Sequence, residues 1–283
     1  MGGKMDGTFE TIRCQSRAIV RSVWAGIKKD RIMNRAAELA FWFLLGFFPM
    51  AVSVVSIASL LHPIGGSQGM LMQYLGKVLP PSASSLVGKV LGQTTGGGRA
   101  WFTLLFALWS SSSATSGVME TLNAIYGARE VRSWWKTTSI AVILAVAMSV
   151  VLITVLTTAL YGPELLIHVL PNVAGAVIWK ILQWPVAGML LILALLCLYR
   201  FTPSVKQRWT QILPGSVIAA TIWVIASLIF RLYVDHFSDY GLLYGSLGTL
   251  IILLLWFYLG GIAILIGGEI NAALEAAARR GEN

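Results

Sequence analysis

The sequence predicts an all-α, polytopic membrane protein with six transmembrane helices, and three observations carry that expectation. Apolar residues make up 57% of the 283 on a count that includes Tyr and omits Gly, where soluble domains reach roughly 45–50% with Gly counted. Charged residues are only 12%, against about 25% in an ordinary soluble domain. The third is placement: most charges gather between long apolar runs rather than within them. This excludes an ordinary soluble globule. It also excludes disorder, which needs low hydrophobicity with high charge.

In chain order, residues 1–35 come first and hold eight basic residues. Ile12, Ile19, Val23 and Ile27 follow helical spacing, with Arg13, Arg17 and Arg21 on a different face. The pattern predicts a basic amphipathic helix lying on the anionic headgroups of the cytoplasmic leaflet. It lacks the short basic start and apolar stretch of a signal peptide. The first apolar run, 39–61, has 23 residues, enough to cross a hydrocarbon core about 30 Å thick. Pro49 in its middle predicts a kink with a freed carbonyl. The following spans are expected at about 101–126, 137–161, 176–199, 212–234 and 242–273. Gly127 should end the second, and Pro185 should kink the fourth. The sixth is long enough to tilt, or to begin as a broken segment at Gly245 and Gly248. Residues 36–275 thus form the transmembrane domain, and 276–283 a cytoplasmic tail.

The loops orient the bundle. Lys and Arg number 21 against 12 Asp and Glu, a net charge of +9. Sixteen of the basic residues fall in segments 1–38, 127–136, 200–211 and the tail after 274. Three, Lys77, Lys89 and Arg99, fall in 62–100, 162–175 and 235–241. Cytoplasmic loops retain Lys and Arg, so both termini are expected inside. The long outer loop 62–99 carries two short amphipathic stretches flanking Pro80 and Pro81, expected to lie in the outer interface.

Few residues suggest chemistry. Glu38, Glu120 and Glu269 end helices one, two and six on the cytoplasmic side, with Asn123 and Asn271 nearby and Arg200 closing helix four. Brought together they would make a polar cavity facing the cytoplasm, since carboxylates at the membrane tend to face inward and mark pathways. A structural Glu–Arg or Glu–Asn network and plain interfacial solvation are the other readings. The Ser110–Gly117 stretch serves either a polar wall or a tight helix contact. Arg231 and Asp235, at i, i+4 on the outer end of helix five, fit a local ion pair. His62, His168 and His236 all follow odd-numbered helices, which would put them outside.

Neither metal-ligand spacing nor any cofactor signature is present, and Cys14 and Cys197 read as reduced thiols. GxSxG, HExxH, Walker A and a strand-borne GxGxxG are all absent. Catalysis is not expected, and a nuclease at the membrane edge is a poor receiver of folded RNA, so nucleic acid is not an expected partner. Membrane lipids are, and a homo-oligomer is compatible with the sequence.

Three stretches resemble the YihY/BrkB family of bacterial inner-membrane proteins, once labelled ribonuclease BN. They are Arg35-Ala-Ala-Glu38-Leu-Ala-Phe-Trp-Phe-Leu-Leu-Gly46-Phe-Phe-Pro49, then Trp109 through Tyr126 with its Leu122-Asn123 pair. The third and most specific runs Tyr199-Arg200-Phe-Thr-Pro203, Pro214-Gly215, Tyr244 through Gly248, Leu255 through Tyr258 and Gly268-Glu269-Ile-Asn271. The resemblance implies six membrane helices, a bacterial plasma membrane, and transport or envelope integrity rather than a settled reaction. It also implies that the ribonuclease label is a misassignment. Glu38, Asn123, Arg200, Tyr244, Glu269 and Asn271 fall at its motif positions. Gly46 departs from it, where a Ser-like residue is expected. The leading expectation is a transporter or lipid-handling protein whose glutamates bind a proton or cationic group and whose Arg200 binds an anionic headgroup. A non-transporting envelope scaffold is the alternative, and an enzyme the third.

Overall fold

The computed structural model describes residues 19–61, 97–169, 173–205, 207–236 and 246–281, with side chains over part of these. A short helix, α1 (residues 19–29), precedes six long ones. These are α2 (Ile32–Leu61), α3 (Gly97–Ile125), α4 (Trp134–Val169), α5 (Val173–Phe201), α6 (Trp209–His236) and α7 (Ser246–Gly281). Each helix packs on its neighbours in sequence, and α7 returns to pack on α2, with a smaller contact to α3. The six therefore close into a ring in chain order.

The outward face of this ring is apolar. Ile225, Leu228, Ile229 and Leu232 on α6 are 51–62% exposed at helical spacing, a stripe that water would penalise and lipid tails accept. Trp134, Trp135 and Trp209 are exposed at the ends of α4 and α6 that lie beside Arg129, Arg132 and Arg208, as indole rings sit at a membrane–water boundary. Three helical stretches among the described residues are long and apolar enough to cross a membrane: Leu182–Phe201, Trp209–Val234 and Leu250–Arg279. The apolar runs of α2, α3 and α4 pass into residues whose side chains lie outside the description. The architecture is an all-α, multi-pass membrane bundle.

Each helix outruns its apolar stretch, because polar residues at the ends still satisfy the backbone ladder. Both α2 and α5 continue through Pro49 and Pro185. Gly248 lies in the first turn of α7 rather than at a break; Gly245 and the outer loop 62–96 fall outside the described residues. Helix α3 ends at Gly127 as predicted. There φ is 62°, Ala128 N–H donates to Asn123 O (2.8 Å) and Gly127 N–H to Ala124 O (3.0 Å), the paired bonds of a left-handed cap.

The buried core sits toward this same end, formed by Ile32, Leu39, Leu122, Tyr199, Ile212 and Leu265 among others. Lipid tails are as apolar as leucine, so close packing rather than hydrophobic transfer holds the helices there. At the α6–α7 crossing, a Cβ on Gly215 would overlap Gly267 O, and one on Gly267 would lie 2.7 Å from Gly215 O. The Ser-rich stretch of α3 also serves contact. Ser112 and Thr115 are buried, Gly117 lies against Leu39, and Ser113 and Thr121 hydroxyls bond carbonyls of their own helix.

Candidate functional site

The six residues picked out as a polar cluster divide into four environments. Glu38 and Glu120 are exposed on α2 and α3. Arg200 is half-buried, its guanidinium 5.9 Å over the Trp209 ring. Asn123, 4% exposed, ties two connections together. Its Oδ1 accepts from Ser204 N–H (2.7 Å) and its Nδ2 donates to Glu130 Oε2 (2.8 Å). Glu130 in turn accepts from the Ser204 hydroxyl and from Arg132 N–H. The Arg132 guanidinium donates to the carbonyls of Phe201, Thr202 and Pro203, which α5 leaves unsatisfied at its C-terminus. Partial burial pushes the Glu130 carboxyl up, but the bonds from Arg132 N–H, Ser204 and Asn123 and the Arg132 charge outweigh it. The net direction is downward from 4.5.

Glu269 and Asn271 remain, both on α7. Asn271 is buried, and its Oδ1 accepts from Gly215 N–H (2.8 Å), which binds α7 to α6 next to the Gly215–Gly267 crossing. Glu269 is 5% exposed, and its Oε1 has no hydrogen-bond partner. Helix α1 lies directly over it: a Cβ on Gly26 would fall on the Glu269 carboxylate. Asp30, in the turn after α1, brings its carboxyl within hydrogen-bonding reach of Glu269, and the Lys29 charge also reaches it. Arg31 makes the joint to α2, with φ at 50°.

A second group of buried polar atoms adjoins Glu269. Tyr126, at the end of α3, has Gln207, Asn271, Glu275 and Glu269 around it. Gln207 and Asn271 stand beside its hydroxyl without forming a hydrogen bond of full geometry, leaving Tyr126 OH, Gln207 Oε1 and Asn271 Nδ2 unpartnered. The other end of Gln207 donates to Glu275 Oε2 (3.3 Å), whose Oε1 pairs with Arg279. Such orphaned polar atoms are rare in native interiors.

Gly26, Asp30, Tyr126, Gln207, Glu130 and Arg132 were not singled out by the sequence. Two had signals: Gly26 interrupts a helix where glycine is disfavoured, and Asp30 is an acid inside a basic run. No group of three or more His, Cys, Asp or Glu able to hold a metal ion occurs among the described residues. The side chains of Pro49, His62, His168, Asp235 and His236 lie outside the description, and with them the outer ion pair.

These features define a class, a multi-pass helical membrane protein with a buried polar site at one end of its ring. The chain belongs to the family described as Virulence factor BrkB, which it matches over residues 23–283. It is 34% identical over 252 residues to the ribonuclease-like protein YfkH of Bacillus subtilis, covering 86% of this chain and 90% of that one. It is 27% identical to a UPF0761 membrane protein of Tolumonas auensis (92% and 86% covered). Identity to the UPF0761 membrane protein VV0203 of Vibrio vulnificus is 26% (91% and 82%). No solved structure matches. It is therefore a multi-pass bacterial membrane protein of that family.

Proposed function

We propose that this protein is a six-span plasma-membrane transporter or lipid-handling protein that binds its ligand from the cytoplasm, beneath α1. The observation that carries the reading is Glu269: a carboxylate 5% exposed, with one oxygen unpartnered, roofed by the backbone of an N-terminal helix. A buried carboxyl oxygen without a hydrogen-bond partner costs about 1–3 kcal/mol by general estimate, which supports a binding role for this side chain. The sixteen-to-three distribution of Lys and Arg supports placing this end, both termini and the tail 276–283 in the cytoplasm. In this reading residues 1–35 rest on anionic headgroups, with Val20 and Trp24 exposed and Lys28 5.6 Å over the Trp24 ring. Arg231 and Asp235 pair at the outer end, and Pro49 and Pro185 leave carbonyls free within the bundle. Movement of ligand would be passive, ion-coupled or driven by a partner.

The test is native mass spectrometry of gently extracted protein, wild type against Glu269→Gln, Glu38→Gln and Glu120→Gln. A defined lipid or metabolite is expected to vanish from folded Glu269→Gln and to persist in the other two, whose carboxylates are exposed. Identical bulk lipid across the set would overturn the binding reading. It would favour an envelope scaffold, which the amphipathic surface of α1 supports.

A further inference from the structure

The connections that follow α3 and α5 come together as a basic and aromatic surface. Residues 127–136 and 200–211 hold six basic residues against a single acid, Glu130. That acid is already engaged by Asn123, Ser204 and Arg132. The Arg132 guanidinium, bonded to the carbonyls of Phe201, Thr202 and Pro203, pins the first connection against the end of α5. Beside this joint, Phe201 and Trp209 meet edge to face at 6.2 Å, both exposed. Arg200 lays its guanidinium over the Trp209 ring. Stacking holds an arginine head in place without consuming its hydrogen-bond donors. Carbonyls at a helix C-terminus are the usual company of an arginine there, but here Arg132 takes them. Among the described residues, no carboxylate pairs with Arg129, Lys136, Arg200 or Arg208.

We propose that Arg200 and Trp209, with Arg208 beside them, form a docking site for the headgroup of one anionic phospholipid, whose acyl chains lie along α5 and α6. The inference rests on reading this end as cytoplasmic and deepens the lipid-handling side of the proposed function; Glu269 takes no part in it. The planar guanidinium offers parallel donors that match phosphate oxygens, and a charge-assisted pair of that kind is stronger than a neutral one. Two apolar stripes make the occupant a lipid rather than a soluble phosphate. On α5, Met189 and Leu193 are exposed one turn apart, two turns before Phe201. On α6, Leu213 and Val217 are exposed in the turns that follow Trp209. The two helices pack on each other, so both stripes lead away from the Phe201–Trp209 contact. Indole rings settle at the membrane–water boundary, which sets Arg200 at the depth of lipid phosphates. Any lipid can cover the stripes; the unpaired arginines select one that carries net negative charge.

The test is photocrosslinking of the full chain in phosphatidylcholine nanodiscs, mapped by peptide mass spectrometry. The discs carry either a photoreactive phosphatidylglycerol or the matching photoreactive phosphatidylcholine. A base beside the membrane surface favours an anionic lipid roughly fivefold, so phosphatidylglycerol should label the segment from Met189 to Val217 at least that much more strongly. Arg200→Gln should cut this excess roughly fivefold, and Arg200→Lys should keep part of it. Trp209→Leu should weaken it by releasing the guanidinium. Arg279→Gln, which removes an exposed base from α7, should leave it unchanged. Equal labelling by the two lipids overturns the proposal. So does an excess that Arg279→Gln lowers as much as Arg200→Gln, which would assign it to the general charge of this end. Displacement of phosphatidylglycerol by an equal amount of glycerol 3-phosphate would give the site to a soluble phosphate and overturn the lipid. The wild-type comparison needs no variant to fold. Should a co-purified ligand vanish in Glu269→Gln while both lipids label this segment alike, the headgroup site is overturned and the binding reading at Glu269 stands.

Discussion

At the scale of single residues, Asn123 shows how a polar group at a helix end can be spent entirely on architecture. Both ends of its amide are used, one on Ser204 N–H and the other on Glu130. Asn123→Ala leaves a partly buried N–H and a carboxylate oxygen short of partners, so it should cost about 2 kcal/mol, read by denaturation in detergent. Asn123→Asp keeps the acceptor for Ser204 but sets a second carboxylate against Glu130, and should stay destabilised. Glu130 predicts an acid response. Its folded pKa lies below its ordinary 4.5, so its stabilising contribution is present above that value and is lost as pH falls through the folded one. Glu130→Gln should flatten the fall in melting temperature on acidification below about pH 5. An unchanged slope would show that Arg132 holds the α5 terminus without it.

Elements meet where side chains have been removed. Helices α6 and α7 cross so closely at Gly215 and Gly267 that a Cβ on either would meet the other's backbone oxygen. Gly215→Val should destabilise by roughly 1–3 kcal/mol and weaken the Asn271 contact that bridges the same helices. Detergent melting should therefore drop further than for Gly188→Ala, whose Cβ meets open space. The helices themselves were legible as apolar runs, and the end of α3 at Gly127 as a glycine cap. The division of the six polar residues was not. Sequence spacing puts Glu38, Glu120 and Glu269 at similar heights on their helices, but each helix's rotation in the ring decides which faces inward. That rotation is set by packing of Gly117 on Leu39 and Gly261 on Ala36, contacts between residues far apart in the chain.

For the whole molecule, charge asymmetry makes a prediction that needs no site. In a variant lacking Cys14 and Cys197, single cysteines at Arg129 and Arg279 should resist membrane-impermeant maleimide in intact cells and react after lysis. A cysteine at Asn172 should react before lysis. Labelling of Arg129→Cys from outside would overturn the orientation. A ring closed in chain order lets such a topology form from local helix pairs, with α7 on α2 as its long-range closure. What the sequence alone determined was the solvent the protein lives in, its helices and the expected direction of its charges, because length, hydropathy and charge placement are properties of the chain itself. Its family resemblance was also readable there. Only the tertiary structure decided that Glu38 and Glu120 face out, that Arg200 stacks on Trp209, and that Asn123 belongs to a structural knot. It alone set Asp30 and Gly26 over Glu269. Those outcomes depend on helix rotation and, for the last, on the joint at Arg31, which brings together residues more than two hundred positions apart that no local pattern connects.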